Sequence, residues 1–482
     1  MSCRLSKSDL FATLPTPWAE NLRPQIRDSV AARPGHKLVV LDDDPTGTQT
    51  VHDVPVLTTW DVATLQREFA TPGACFYVLT NSRSLTPECA RQLAQQVGEN
   101  LRHAASAADV RFTVVSRSDS TLRGHFAIEV EGLMGVLGPF DGVFVIPYFE
   151  AGGRYTIQDT HYVAEGDRLV PAAETPFARD AAFGFHNSDL RAYVEEKTGG
   201  RIRAEDVASV SIDDLRRGGP DQVAGKLATL SNGKVCVVNA AAPGDLDAFV
   251  AGLIMAETAG KRFLFRTAAQ FVAARLGLEP QPLWSPDFKP GAWNANGLIA
   301  ARQQGGLVIV GSYVPKTTEQ LAHLEKSGAV VVWTLKVESI LNDADREQAI
   351  RDAVFKLEFA YQRGGDVVLA TSRELVTSAD AATSLAIGNR VSAALVEIVQ
   401  RLKVCPRYLI AKGGITSSDL AVKGLGVKRA IVRGQLLPGV PVWELGDETK
   451  FPGLPYIVFP GNVGGPEVLA HAIEILHSKP NP

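Results

Sequence analysis

An α/β fold of two domains, each a largely parallel sheet flanked by helices, is predicted by three features of the sequence. Short apolar runs rich in β-branched residues recur from Lys37 to Gly434. Helical patterns stand between many of them. Polar or glycine-rich clusters sit where many of the runs end.

The first series of strands reads KLVVLDD (Lys37–Asp43), CFYVLTNS (Cys75–Ser82), FTVVSRSD (Phe112–Asp119), GVFVIPYF (Gly142–Phe149) and KVCVVNA (Lys234–Ala240). Between the second and third, Ala90, Leu93, Val97 and Leu101 recur at helical spacing. The stretch Gly277–Gly297 then breaks the rhythm with four prolines and no periodic apolar face. It is read as the connection between domains, with boundaries at 1–280, 281–297 and 298–482. The second series follows: Leu307–Tyr313, Val330–Leu335, Asp366–Ser372, Tyr408–Gly414 and Arg429–Gly434. Leu385, Val391, Leu395 and Ile398 mark a helix within it.

The 482 residues exceed one ordinary domain. Hydrophobic residues make up 45% and the net charge is −4, which argues against a nucleic-acid-binding face. Five scattered cysteines form no CxxC pair, so zinc ribbons and dithiol chemistry are not expected. No run approaches the roughly 20 apolar residues that span a bilayer, and the first residues lack the apolar segment of a signal peptide. The chain reads as cytoplasmic. A homo-oligomer is left open.

In an open parallel sheet, ligands bind beyond the carboxyl ends of the strands. The tails of the first series carry Asp42, Asp43 and Asp44, then Asn81, Ser82 and Arg83, then the segment SRSDSTLRGHF with Arg117, Asp119, Ser120, Thr121 and Arg123, and finally Arg154 behind two glycines. Arginine forks suit carboxylate or phosphate, and aspartates accept hydrogen bonds from hydroxyls. Together they describe a pocket for a small polyhydroxylated anion. For any single arginine, a surface ion pair is the blander explanation. His125 and His161 occur without the spacing of a zinc site, and a lone histidine is more often structural.

The tails of the second series are built on glycine: Gly311–Ser312, Lys412–Gly413–Gly414–Ile415–Thr416, and Gly461–Asn462 with Gly464. Glycine turns opening onto helices bind phosphates through backbone N–H groups. No P-loop and no GxGxxG occur. A competing reading takes VVLDDDPT as the nucleophile strand of a haloacid dehalogenase-type, Mg²⁺-dependent phosphatase, with Asp42 attacking; the later acidic cluster that chemistry needs is not found. A non-catalytic sugar-acid sensor is a third.

These residues together resemble the four-carbon acid sugar kinase family over nearly the whole chain. The matching motifs are Asp43–Gly47, Asp119–Gly124, Gly153–Thr156, Val310–Ser312, Gly413–Thr416, Pro438–Pro441 and Gly461–Gly464. The resemblance implies ATP-dependent phosphorylation of a sugar acid such as threonate, erythronate or a 3-oxo-tetronate. The acid would sit in the first domain and ATP in the second, across a cleft, with Mg²⁺ bridging the phosphates and its protein ligands unassigned. Asp43, Asp44 and Asp119 are then expected at the substrate hydroxyls, with Asp44 preferred as the base. Ser82, Arg83, Arg117, Ser120, Thr121, Arg123 and Arg154 are expected around the acid. Gly311, Ser312, Lys412, Gly413, Gly414, Thr416, Gly439, Gly461, Asn462 and Gly464 are expected around the nucleotide. The chain departs from the family pattern at Asp42, Pro45, Val310, Lys412 and Ile415, the last standing where a glutamate is usual.

Overall fold

The computed structural model describes residues 5–286, 304–328, 330–373 and 381–477, so residues 287–297 of the proline-rich connection lie outside the description. The chain divides into two compact units, Met1–Val51 with Thr59–Pro280, and His52–Thr58 with Gln281–Pro482. Strands are numbered β1 to β19 in chain order.

The first unit is built on a parallel sheet. Its strands are β2 (His36–Asp42), β4 (Cys75–Leu79), β5 (Arg111–Arg117), β6 (Gly142–Ile146), β10 (Ala208–Val210), β11 (Lys234–Val238) and β12 (Phe263–Thr267). Their order is β10-β11-β6-β12-β5-β2-β4, with every neighbouring pair parallel. Helices covering both faces demand strands apolar throughout. Accordingly β2 is buried from Lys37 to Asp42, and β4 and β6 along their whole length. The helix Pro87–Ala108 begins on the Thr86 side-chain cap with proline in its first turn and ends at Asp109 in the left-handed region. Its stripe of Ala90, Ala94, Val97, Leu101 and Ala105 is buried, each larger side chain worth roughly 1.5–3 kcal/mol of transfer. A second, antiparallel sheet of β1 (Leu5–Ser6), β9 (Arg168–Pro171), β8 (Thr160–Glu165) and β7 (Arg154–Ile157) belongs to the same unit. Its hairpins were not anticipated from the sequence.

The second unit has a mixed sheet. Strands β14 (Val331–Leu335), β15 (Val367–Thr371), β13 (Leu307–Val310), β16 (Leu409–Lys412) and β19 (Pro455–Phe459) are parallel neighbours in that order. The sheet continues antiparallel through β18 (Val440–Leu445), β17 (Arg429–Leu437) and β3 (Val54–Leu57). Thus four residues from early in the chain pair with β17, a strand more than 370 residues later. Trp284, within the expected connection, packs against this unit's core and donates its backbone N–H to Gln435. Among the described residues no helix is long and apolar enough to cross a membrane.

Candidate active site

The polar tails of the first unit meet at the carboxyl ends of β2, β4 and β5. Strand pairing aligns Asp42 with both Leu79 and Arg117, so the three chain exits lie side by side. Asp42 and Asp43 are buried, and the guanidinium of Arg117 lies between them, Nη1 at 2.7 Å from Asp42 Oδ1 and 3.3 Å from Asp43 Oδ1. Arg83 grips Asp43 from the other side at 2.6 Å and reaches Asp44 Oδ2 at 3.5 Å. It is presented by a short turn that follows Asn81, whose φ of 51° is left-handed. Asp44 caps the turn Pro45–Thr48, accepting the Thr46 N–H at 2.8 Å. Gly47 has to be glycine for steric reasons: a Cβ there would lie 2.2 Å from Asp42 Oδ2 and 2.3 Å from Arg117 Cζ.

These contacts separate the three carboxylates electrostatically. Burial drives the Asp42 carboxyl up; Arg117 opposes it, Asp43 and Asp44 reinforce it, and the result is about 7. Its Oδ2 has no hydrogen-bond partner among the described residues. Burial pushes Asp43 the same way, but Arg83, Arg117 and Arg266 outweigh it and hold it below the usual carboxylate range. Asp44 remains partly open to solvent, with its Oδ2 bound, among the described residues, only by the long Arg83 contact.

A buried relay supports the cluster. Ser118 Oγ donates to Asp43 Oδ2 at 2.5 Å and accepts from Arg266 Nη2 at 2.6 Å; Arg266 Nη1 binds Glu129 at 2.5 Å, and Glu129 accepts the Ser82 hydroxyl. Ser82 is therefore engaged inside the protein. Ser118, Glu129 and Arg266 were not singled out from the sequence. The available signal was an arginine inside the apolar run FLFRT, which becomes β12.

Asp119 anchors a second patch. Burial raises its carboxyl, but Arg83, Arg123 and the Thr121 hydroxyl prevail and hold it well below the usual range. Arg123 Nε lies 2.6 Å from Asp119 Oδ2, and the Thr121 hydroxyl is spent on the same oxygen. The Ser120 hydroxyl has no hydrogen-bond partner among the described residues. Arg154 follows Gly153, whose φ of 71° turns the chain into β7. Its guanidinium stacks on Phe177 with Arg123 on the same ring, has no carboxylate partner among the described residues, and keeps a buried Nε without an acceptor. Both histidines are structural: His125 binds the Leu85 carbonyl at 3.0 Å, and buried His161 bridges the Thr156 hydroxyl and the Ser120 carbonyl.

In the second unit, three turns converge at the carboxyl ends of β13, β16 and β19. A Cβ on Gly311 would meet Thr416 Oγ1 at 2.3 Å, on Gly413 the Ser312 Cβ at 3.0 Å, and on Gly461 the Ser312 Oγ at 2.8 Å. Thr317 Oγ1 ties Ser312 to the Gly461 carbonyl, and Gln320 holds the carbonyls of Val463 and Gly465. Gly414 opens the short helix Gly414–Asp419, on which Ile415 is exposed. Asn462 is exposed and Gly464 has a φ of 81°. Gly439 instead turns the β17–β18 hairpin at φ 80°, its N–H held by the Gln435 side chain. Lys412 is fully buried at the end of β16, donating to the Pro460 carbonyl at 3.1 Å and lying 4.0 Å above the Phe459 ring. Burial, then the nearby charge of Lys316, pushes it down to about 7.

No group of three or more His, Cys, Asp or Glu side chains suited to a metal occurs among the described residues. The first unit's carboxylates are held by arginines and hydroxyls rather than splayed around a cation site.

Comparison with known proteins follows the same division. A model described as a sugar-binding N-terminal domain matches residues 38–275, and one described as a nucleotide-binding C-terminal domain matches residues 307–469. A D-erythronate kinase of Heliobacterium modesticaldum is 26% identical over 273 residues, 55% of this chain but only 53% of that protein. The chain thus spans about half the length of that relative. A 3-oxo-tetronate kinase of Methylobacterium radiotolerans is 27% identical over 410 residues, 83% of this chain and 88% of that protein. Two solved structures share the fold: a Salmonella typhimurium LT2 protein provisionally described as a tRNA synthase (TM-score 0.65, 17% identity, covering 90% of this chain and 98% of that one), and a Haemophilus influenzae protein of a family of unknown function (TM-score 0.60, 16% identity, covering 91% and 100%).

Proposed function

The chain belongs to the four-carbon acid sugar kinase family, and from that premise we propose that it transfers the terminal phosphoryl group of ATP to a hydroxyl of a small sugar acid. D-Erythronate and 3-oxo-tetronate, named for its relatives, head the candidate substrates.

The observation that carries the reading is Arg154. It is a cation without a carboxylate partner among the described residues, stacked on Phe177 beside Arg123 and coupled to Asp119. A half-buried charge of this kind favours an anionic ligand. The substrate carboxylate is assigned to Arg154 and Arg123, and its hydroxyls to Asp119, Ser120 and Asp44. Asp43, Ser82 and Thr121 serve as scaffold, because their hydrogen-bonding atoms are already engaged, and Arg117 does so because it is buried between Asp42 and Asp43. Asp44 is the proposed general base, since it keeps a partly open oxygen. Phosphoryl transfer is chiefly positioning and charge neutralisation. The nucleotide phosphates are assigned to the backbone of the turns at Gly311–Ser312, Gly413–Thr416 and Gly461, with Lys412 as the buried counter-charge. Mg²⁺ is taken to enter with ATP as part of the substrate, because Mg²⁺ binds phosphates plus one or two carboxylates rather than an all-protein cage.

The phosphatase reading needs Asp42 as an exposed anionic nucleophile. Its complete burial, its raised pKa and the Arg117 contact count against that role.

The test is a coupled ADP-formation assay with MgATP against a panel of four-carbon sugar acids, run beside a phosphate-release control. Acid-dependent ADP formation is expected, with KM for the acid raised about tenfold or more in Arg154→Ala, the loss typical of a charged contact. Silence across the panel, with phosphate released from phosphorylated acids, would reject the proposal.

A further inference from the structure

One cavity of the first unit lies far from its carboxylate cluster. It has a volume of about 710 Å³ and opens at the amino ends of β2, β5 and β12, against His36, Arg111 and Phe263. The seven residues of β2 or β5, at roughly 3.3 Å each, set it some 20 Å from Asp42 and Arg117 at the other ends. A ligand there would not share the reacting centre.

Its lining is cationic in a chain whose net charge is −4. Arg33, Arg102, Arg111, Lys261 and Arg262 face one carboxylate, Glu257. That carboxylate is already shared between Arg275 at 2.6 Å and Arg33 at 3.5 Å. Part of the basic lining is explained by the fold, because in a parallel α/β sheet the strand starts follow helix ends, where cations are favourable. Arg33 donates to the Ile254 carbonyl, Lys261 to Leu230 and Asp141, and Arg262 to Leu137. That explanation stops at Arg102 and Arg111, whose guanidinium groups have no acceptor among the described residues.

Two further features point to a ligand. His36 sits in the wall with Nε2 at 2.8 Å from the Thr113 hydroxyl. Burial pushes it down to about 4, and the charges of Arg275, Arg33 and Arg111 act in the same direction. Phe112, Phe140 and Phe263 supply apolar wall, and Arg262 stacks on Phe140 at 5.3 Å. The volume falls within the roughly 300–1,000 Å³ of small-molecule sites. Arginine forks select phosphate, and phenylalanine walls select a ring.

We propose that this cavity binds a phosphate-bearing small molecule with a ring-sized apolar body, at a site separate from the carboxylate cluster. Phenylphosphonate is a suitable probe, having a dianionic head, one ring and no hydrolysable ester. It would be titrated into the full chain carrying ¹³C-labelled histidine, with the His36 signal assigned through His36→Gln. A saturable shift is expected, with the His36 titration moving upward because the anion offsets Arg33, Arg111 and Arg275. Binding should weaken about tenfold or more in Arg102→Glu/Arg111→Glu, whose exposed positions leave the melting temperature unchanged, and less in Arg111→Gln. Inorganic phosphate should bind more weakly than the probe. The proposal is overturned if no saturable shift occurs, if the double variant binds equally well, or if sodium chloride at matched ionic strength reproduces the shift.

Discussion

Three carboxylates in succession repel one another, and each is stabilised by a different device. Asp43 is held anionic by Arg83 and Arg117, Asp42 is pushed toward its neutral form by burial, and Asp44 turns partly outward. The raised Asp42 value makes a sign-specific prediction. A carboxyl whose pKa is higher folded than unfolded stabilises most below its unfolded value and loses that contribution as pH rises through the folded one. Asp42→Asn, which mimics the neutral form, should therefore gain stability relative to the parent between about pH 4 and pH 7, read from urea unfolding at each pH. A parent-to-variant difference independent of pH would show that Asp42 is ionised throughout. Lys412 offers the reverse case. Burial disfavours its charge, so a phosphate arriving beside it should draw a proton from solution above pH 7. Calorimetry of ATP binding near pH 8, in buffers of different ionisation enthalpy, should report proton uptake that disappears in Lys412→Met. Equal uptake in both proteins would remove Lys412 from the phosphate site.

The turns are the elements that convert strand ends into sites. Gly47→Ala would drive a methyl group into Asp42 and Arg117, side chains fixed by their own ion pair, so relaxation is limited. Overpacking of this kind costs about 1–3 kcal/mol, measurable as a lowered urea midpoint. An unchanged midpoint would mean the turn is looser than described. At this scale much was legible in the sequence. The strand tails announced themselves because charged and small residues follow apolar runs abruptly, and the helix Pro87–Ala108 carried its own cap and stripe. Arg266 and Glu129 were not legible, because a charge inside a buried element has meaning only once its partner is known, and those partners lie 137 residues apart. Gly439 shows a related limit of sequence: a glycine that turns a hairpin and one that approaches a ligand look alike there.

At the scale of the whole molecule, composition and alternation sufficed for two α/β units, whereas strand pairing across long separations did not show. VPVL is short and contains proline, and nothing local to it specifies the partner β17, more than 370 residues later. A fragment comprising residues 281–482 alone would lack β3 and leave the Arg429–Val432 edge of β17 unpaired. It should aggregate at concentrations where the full chain stays monodisperse in light scattering. A well-behaved fragment would show that β3 is dispensable. The central claim concerns the reaction, and phosphorus NMR of MgATP with the most active sugar acid tests it most directly. The kinase account predicts a phosphate monoester signal, coupled to a carbon-bound proton, that grows as the γ-phosphate of ATP declines. Growth of inorganic phosphate without any ester would contradict it.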